Sequence, residues 1–559
     1  MNKTVKIIIV IMVAVVVLFV IGNSFVQIGL VGARGDFSTV LQGQVDPGPE
    51  LGQRDVSSVG YPEGGVYTVT LAVDEKPMGR VEDEYVSFAI DSSQLVGGKW
   101  WNPEASGKEG GSGSTNAPAF DFSRPRLNTL ASALAPAFLR IGGSEADKIY
   151  YDMQNPKPLE IPAGYESGLG TDQWDAANAF AQRNNLKLIF TLNAGPANRN
   201  QDGSWNPANA ETLLKYSAEK GYPIAGWELG NEVNIYWFVH GLSKQVTPVQ
   251  YAADMQTAHD LVKKIYPDAL FSGQGSAYWP ILGEPLKYYF GFMPVYLEKA
   301  GNLTDIVSWH YYPQQSRRGP IATRRATPGR LLDPNNLNEV AYWASEIRSL
   351  KIKYAHTAKI WVGETGNAQF GGEPGVSDAY IGGLWWLDEL GLLARYGTGV
   401  VVRQSLTGMN YGLINEETLE PRPDYWNTLL WKNLMGNDVF KTTLRGDNSD
   451  RLRAYAHSIP GERGGVSILL INIDPKKAVR VSLPNYPAKP FEIYALSSPD
   501  LFGQKLLLNG TELALDAKGN LPAIYGVPVF GEGVPEITLN PLSYMFVVFR
   551  PVIAANLLP

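Results

Sequence analysis

Two glutamates in this 559-residue chain are introduced in the same way. Glu232 lies in GWELGNEVN (226–234), and Glu364 in KIWVGETGNAQFGGEPG (359–375). In each segment an apolar run reaches a glycine, Gly230 or Gly363, and the acid follows at once or one residue later. A buried parallel strand presents a group like this at its C-terminal end, where α/β barrels keep their chemistry. Neighbouring carboxyls in a partly dry cleft split their pKa values, leaving one protonated as general acid and one ionised as nucleophile. A retaining glycosidase needs that division, with carboxyls about 5 to 5.5 Å apart around an oxocarbenium-like transition state. Asn231, directly before Glu232, is placed to hydrogen-bond a sugar 2-hydroxyl. A lone Glu at a strand end is usually a surface charge or an ion-pair partner; the joint occurrence is what points to catalysis.

Composition removes most other chemistries. Cysteine is absent, so there are no disulfides, thiol nucleophiles or cysteine metal sites. The five histidines are scattered with no HExxH-type spacing, and neither a metal nor a cofactor is expected. A net charge of −7 argues against nucleic acid as a partner. With 44% hydrophobic and 18% charged residues the chain is an ordinary globular one. Its 14 Trp and 28 Tyr suit a carbohydrate cleft, although core packing explains most of them equally well.

Two carboxyls converge only if a scaffold brings their strands together. Between residues 84 and 430 short apolar runs alternate with amphipathic stretches: YVSFAI, FLRIGG, KLIFTLN, IAGWELG, LFSGQG, DIVSWHYY, KIWVGE and GVVVRQS. Helices separate them, such as TPVQYAADMQTAHDLVKKIY with Thr247 as cap and Pro248 at the first helical position. Eight strands with intervening helices fit a (β/α)8 TIM barrel better than an open doubly wound sheet, and no Gly-rich phosphate loop supports a nucleotide fold. From 431 to 559 the pattern changes to period two with Gly, Pro and Asn turns, as in RLRAYAHS, GGVSILLINI and FEIYALS, which reads as an all-β sandwich. VYTVTLAV, within residues 66–83, is expected to join that sandwich from the N-terminal side.

Residues 1–33 read as a signal peptide or signal anchor. Lys3 and Lys6 precede fifteen apolar residues, Ile7 to Ile21, a secretory h-region length and short of the about 20 residues of a membrane span. The chain is therefore expected to be exported: secreted or periplasmic, or anchored to the membrane if the segment stays uncleaved. Residues 34–65, rich in Gly, Pro and Asp, read as a linker.

By strand count Glu232 follows the fourth barrel strand and Glu364 the seventh, the first preceded by Asn; this describes the large glycosidase clan built on the barrel. The segments AFLRIGGSEAD, WNPANAETLLKYSAEKGYPIAGWELGNE, VSWHYY, IWVGETGNAQFGG and VVVRQSL followed by PRPDYW also resemble a named family. They are similar to heparanase and its relatives, the family 79 glycoside hydrolases, which cleave β-linked glucuronic acid. The resemblance runs in order from about residue 66 to the mid-400s. It implies Glu232 as acid/base and Glu364 as nucleophile. It also implies Asp91, Ser144, Asn231 and Gln404 as ligands of the sugar in the first subsite. The backbone amides of Gly371 and Gly372 and the hydroxyl of Tyr411 would hold the uronate carboxylate. Two departures stand out: Met409 precedes Asn410-Tyr411 where the mammalian member has a further Gly, and GGSEADKIYYDMQNP lacks the long excised linker. The protein is thus expected to act as one uncut chain on a glucuronic-acid-containing oligosaccharide or glycoside.

His310 and Tyr311, at the end of the sixth strand, are placed to orient Glu364, or form a packed structural pair. The loop WHYYPQQSRRGPIATRRATPGR carries Arg317, Arg318, Arg324, Arg325 and Arg330. Beside the cleft the first four would contact an anionic polymer; such a charge run is also what a solvated surface looks like. Trp100 or Trp101 is a candidate wall of the subsite. Three readings follow: an exo- or endo-acting β-glucuronidase of the retaining type, a retaining β-glycosidase of other sugar specificity, and a catalytically silent surface carbohydrate-binding protein. The intact pair of acids argues against the last.

Overall fold

The computed structural model describes residues 64–551 apart from 102–113, 280–282, 285–290, 318, 320–321, 487–489 and 532. The expected export segment and all but the last two residues of the linker lie outside the described residues, as do Arg318 and the side chains of Trp100 and Trp101. Among the described residues no helix is long and apolar enough to cross a membrane.

Eight parallel strands close into a barrel. In chain order they are Val86–Asp91, Ala137–Gly142, Leu186–Leu192, Gly226–Leu229, Leu270–Ser272, Ile306–Tyr311, Lys359–Thr365 and Val400–Arg403. Each pairs with its neighbours in sequence order, the eighth with the first, and a Ser272–Ile306 pair joins the fifth to the sixth. All eight arise from the apolar runs picked out in the sequence, which suits strands buried on both faces. The intervening helices carry the expected start signals: in Pro248–Ile265, Thr247 accepts from the Gln250 N–H.

Strand alternation decides what fills the barrel. At its N-terminal end Ala89, Phe138, Ile189, Ile306, Trp361, Val400 and Val402 form an apolar plug, with the Phe138 and Trp361 rings 4.5 Å apart. Two residues further along the same strands the inward positions turn polar: Asp91, Arg140, Thr191, Ser308 and Gln404, all buried. The seventh strand departs from the rule. Counting in twos from Trp361 would send Gly363 and Thr365 inward and Glu364 out, but the pairing slips by one residue between Trp309/Val362 and His310/Glu364. Such an irregularity re-aims a side chain, and here it turns Glu364 into the barrel mouth.

Apart from two small two-stranded sheets and a short strand, Ser276–Tyr278, beside the sixth barrel strand, the remaining strands build one mixed sheet. Val66–Arg80 pairs antiparallel with Asp438–Gly446 and parallel with Ala478–Ser482, so an N-terminal strand lies inside a C-terminal module. One face, including Val69, Leu71, Ile468, Leu470, Val481, Ile537 and Val547, encloses the module's own core. The other, with Tyr455, Leu469, Ile471, Tyr494 and Phe546, joins the main core that also takes in the barrel's helices. Polar contacts fix this packing: Arg453 donates to Asp388 at 2.7 Å, and Tyr380 donates to the carbonyls of Leu496 and Leu542.

Candidate active site

Glu232 and Glu364 meet over the barrel mouth. One side-chain ligand atom from each of Glu232, His310 and Glu364 lies within 4.8 Å of the others. So close an approach suits a direct-attack pair, for which about 5 to 5.5 Å is usual, better than one held about 6.5 to 9.5 Å apart around an intervening water. The glycines beside the acids have steric reasons. A methyl group on Gly363 would come 2.3 Å from Ser308 Oγ. Gly230 adopts φ +70° in the turn that delivers Glu232, itself left-handed at φ 48°, ψ 45°. Asp147, on the short helical turn Ser144–Lys148, holds that turn from outside. Its carboxylate accepts from the backbone N–H groups of Ala194 and Asn231 at 2.9 and 3.0 Å, and burial pushes its pKa up to about 6.

The two acids sit in different electrostatic surroundings. Glu364 Oε2 accepts from the Arg140 guanidinium at 3.0 Å and Oε1 from the Tyr312 hydroxyl at 2.7 Å. A cation and a hydroxyl donor on its two oxygens suit an ionised carboxylate. Glu232 makes no such pair. Its Oε1 is 3.0 Å from Nδ1 of His310, a fully buried ring that burial and the nearby Arg140 hold neutral. Burial first, and the Glu364 charge second, raise the Glu232 carboxyl well above its ordinary range. One acid therefore keeps its proton beside the other's charge, which is what general acid and nucleophile require.

Arg140 also determines what Asn231 can do. It donates to Asn231 Oδ1 at 2.9 Å, so the amide nitrogen of Asn231 faces away as a donor. Its third partner is Glu228, at 2.9 Å, which further accepts from Thr191 Oγ1 at 2.7 Å. The outcome is a buried lattice of one cation, two anions and three neutral donors or acceptors.

Of the other residues singled out in the sequence, Asp91 is buried against Gly143, accepts from Ser93 at 2.9 Å and 2.7 Å, and is pushed up to about 7 chiefly by burial. Ser144 is half-buried at the start of its helical turn. Gln404 is buried with an Oε1 that has no partner among the described residues, and its side chain bonds Tyr411. Gly371 and Gly372 are both left-handed, φ 83° and 81°, and pack on the loop of Met409 to Tyr411: Asn410 N–H donates to Gly371 O at 2.8 Å. The Tyr411 hydroxyl feels the charges of Glu364 and Asp91, which places it in the same cleft.

Two expectations need correction. Tyr311 points out of the barrel, its ring 5.8 Å from Trp309 in the surrounding core, while its neighbour Tyr312 bonds Glu364. Alternation from the inward His310 requires this. In the Arg-rich loop, two of the described candidates, Arg317 and Arg324, are paired with acids rather than free. Arg317 is bound to Glu373 through its backbone N–H and Nε, both at 2.8 Å, and Arg324 pairs with Glu339 and donates to Asn336 at 2.9 Å. Arg325 is exposed. Arg140, Tyr312, Glu228 and Asp147 escaped the sequence reading. Arg140 and Glu228 left a signal: each is a lone charge inside an apolar run, FLRIGG and IAGWELG, which a buried strand tolerates only with partners.

Carboxyls this close at the C-terminal mouth of an eightfold barrel, one neutral and one held on a guanidinium, are the equipment of a retaining glycoside hydrolase. The chain belongs to glycosyl hydrolase family 79: residues 69–391 match the model of that family's N-terminal domain. It is 31% identical to heparanase-like protein 3 of Arabidopsis thaliana, over 87% of this chain and 95% of that protein. Baicalin-beta-D-glucuronidase of Scutellaria baicalensis is 29% identical over 86% of this chain and 92% of its own length. In fold, the chain resembles the GH51 arabinofuranosidase from Xanthomonas axonopodis pv. citri, with a TM-score of 0.62 at 16% identity over 86% of this chain and 99% of that one.

The corrected placement makes a prediction. Tyr312→Phe removes a hydrogen bond to a charged group, worth about 1.5 to 3 kcal/mol, and should lower kcat on an aryl glycoside about 10- to 100-fold. Tyr311→Phe should leave kcat within about twofold, since its hydroxyl touches neither acid. Steady-state kinetics of the two variants side by side check the assignment.

Proposed function

We propose that this protein hydrolyses β-linked glucuronic acid by double displacement, with Glu364 as nucleophile and Glu232 as acid/base. The observation that carries the assignment is the asymmetry of partners: Arg140 and Tyr312 on Glu364, neutral His310 on Glu232. In the first step Glu364 attacks the anomeric carbon while Glu232 gives its proton to the departing glycosidic oxygen. Glu232, now a carboxylate beside the His310 ring, then takes a proton from water, whose oxygen displaces Glu364 from the sugar. The Asn231 amide nitrogen, turned by Arg140, donates to the 2-hydroxyl as charge develops at the ring, and Asp91, Ser144 and Gln404 hold the remaining hydroxyls.

Specificity for the uronate rests on Gly371, Gly372 and Tyr411. Backbone N–H groups donate without side-chain entropy, and successive N–H groups in a turn form the kind of concavity that binds anions. A relative named for acting on a β-D-glucuronide supports this reading. With Arg317 and Arg324 bound to Glu373 and Glu339, the Arg-rich loop supports recognition of the terminal sugar more than of a polyanion. The apolar run Ile7–Ile21 behind Lys3 and Lys6 supports export, with the enzyme secreted, periplasmic or held by an uncleaved anchor.

The test compares 4-nitrophenyl β-glucuronide with the corresponding β-glucoside. A kcat/KM ratio above about 100 is expected, the about 3 kcal/mol of a few charge-assisted hydrogen bonds, and Tyr411→Phe should lower it about tenfold. Faster turnover of the glucoside would discard the carboxylate pocket.

A further inference from the structure

Behind Glu364 lies a second buried carboxyl that the reaction does not use. Thr365 points out of the barrel toward the helix Tyr380–Arg395, and its hydroxyl stands 2.8 Å from the Tyr311 carbonyl and 2.6 Å from Glu389 Oε1. A hydroxyl has one proton and a carbonyl can only accept. If Thr365 donates to Tyr311, the shorter contact needs a proton from Glu389. The other oxygen, Glu389 Oε2, has no partner among the described residues, which a neutral carboxyl tolerates and a buried charge does not.

We propose that Glu389 is a positioning residue: a carboxylic acid kept protonated at neutral pH, it donates to Thr365 and through it ties the end of the sixth barrel strand to the end of the seventh. The tie spans the strand ends that carry His310 and Tyr312 on one side and Glu364 on the other, so it sets the distance between the nucleophile and its supports. Ionisation of Glu389 leaves Thr365 with two acceptors and one proton, and the link to Tyr311 or to Glu389 is lost.

The surroundings agree. From its own helix Asp388 faces Glu389 but is held by Arg453 at 2.7 Å and by the Tyr455 hydroxyl at 2.5 Å. From the eighth strand Arg403 faces it, yet Arg403 donates to Asp424 at 2.8 Å and to the Tyr411 carbonyl at 3.1 Å. The hydroxyls of Tyr85, donating to the Leu390 carbonyl, and of Tyr311 complete the polar neighbours. Burial outweighs the help of Thr365 and Arg403 and pushes Glu389 up to about 8. The inference rests on the assignment of Glu364 as the reacting carboxylate.

Two measurements test it, one of them independent of that assignment. The first uses 2,4-dinitrophenyl β-glucuronide, whose leaving group departs without the Glu232 proton, so that loss of that proton imposes no alkaline limit on kcat/KM. The unaltered enzyme should lose kcat/KM above about pH 8, whereas Glu389→Gln, an amide that donates at every pH, should stay within about threefold near neutrality and lack that limb. Glu389→Ala should lower kcat about 10- to 100-fold with KM within about threefold. The same alkaline limb in Glu389→Gln, or an unchanged kcat in Glu389→Ala, overturns the proposal.

The second measurement is thermal unfolding against pH. A carboxyl raised in the folded state holds a proton that the unfolded chain has lost between about pH 4.5 and about pH 8, so its contribution to stability falls across that window as pH rises. The melting temperature of the unaltered protein should therefore drop relative to Glu389→Gln through the window and level off above it. A constant difference overturns the proposal. Should the aryl glucuronide fail as a substrate, the assigned reaction fails while the melting comparison still reads Glu389.

Discussion

Glu364→Ala is expected to lose at least about 10⁴-fold in kcat on 4-nitrophenyl β-glucuronide and to gain nothing from a better leaving group, because no other side chain attacks the anomeric carbon. Glu232→Ala should behave differently. On the 4-nitrophenyl substrate the missing proton donor should cost about 10²- to 10⁴-fold. On the 2,4-dinitrophenyl substrate the first step needs no proton, so a rapid burst of phenolate should precede slow turnover as the glucuronyl-enzyme waits for a water no base activates. Stopped-flow absorbance separates the two variants. Equal rescue of both, or of neither, contradicts the roles drawn from the Arg140 and His310 contacts.

The largest effect on stability is expected at Arg140. The Arg140 residue is 3% exposed, and its guanidinium donates to Glu228, Asn231 and Glu364 together. Removing the only cation in this lattice strands Glu228 and Glu364 in a low-dielectric layer, so Arg140→Met should cost about 3 to 5 kcal/mol of folding stability by denaturant titration. The double change Arg140→Met/Glu228→Gln should recover part of that loss, since the unpaired buried charge beside Thr191 is then gone while Glu364 stays without its partner. It should not recover activity, because Glu364 still lacks its guanidinium partner and Asn231 the donor that turns its amide. Recovery of activity together with stability would make Arg140 a purely structural residue.

How much of this was legible from the chain depends on the kind of pattern involved. The eight strands were readable because each is buried on both faces and so appears as an unbroken apolar run, whatever its register. The candidate acids were readable because glycines mark places where a side chain cannot fit: Gly363 faces Ser308, and Gly230 supplies the turn before Glu232. Direction within a strand was harder. Tyr311 and Tyr312 are chemically identical, and only the inward setting of His310 distinguishes them. Glu364 points inward because of a one-residue slip in pairing that no local propensity announces. Arg317 and Arg324 looked like a basic surface because Glu373 and Glu339, their partners, lie far enough along the chain that no helical spacing connects them. Glu389 sat unremarked in an apolar helix, yet an acid in such a run has the same meaning as Arg140 in FLRIGG: a buried polar group requires a partner.

Double displacement requires that Glu364 become covalently bonded to the sugar. A 2-deoxy-2-fluoro-β-glucuronyl fluoride tests it most directly, since the 2-fluoro group slows both steps and the fluoride leaving group speeds only the first, so the intermediate accumulates. Proteolysis and mass spectrometry of the inactivated protein should place one fluoroglucuronyl group on the peptide containing KIWVGETGNAQF, at Glu364. Label on Glu232, or inhibition with no covalent adduct, would rule out Glu364 as the nucleophile.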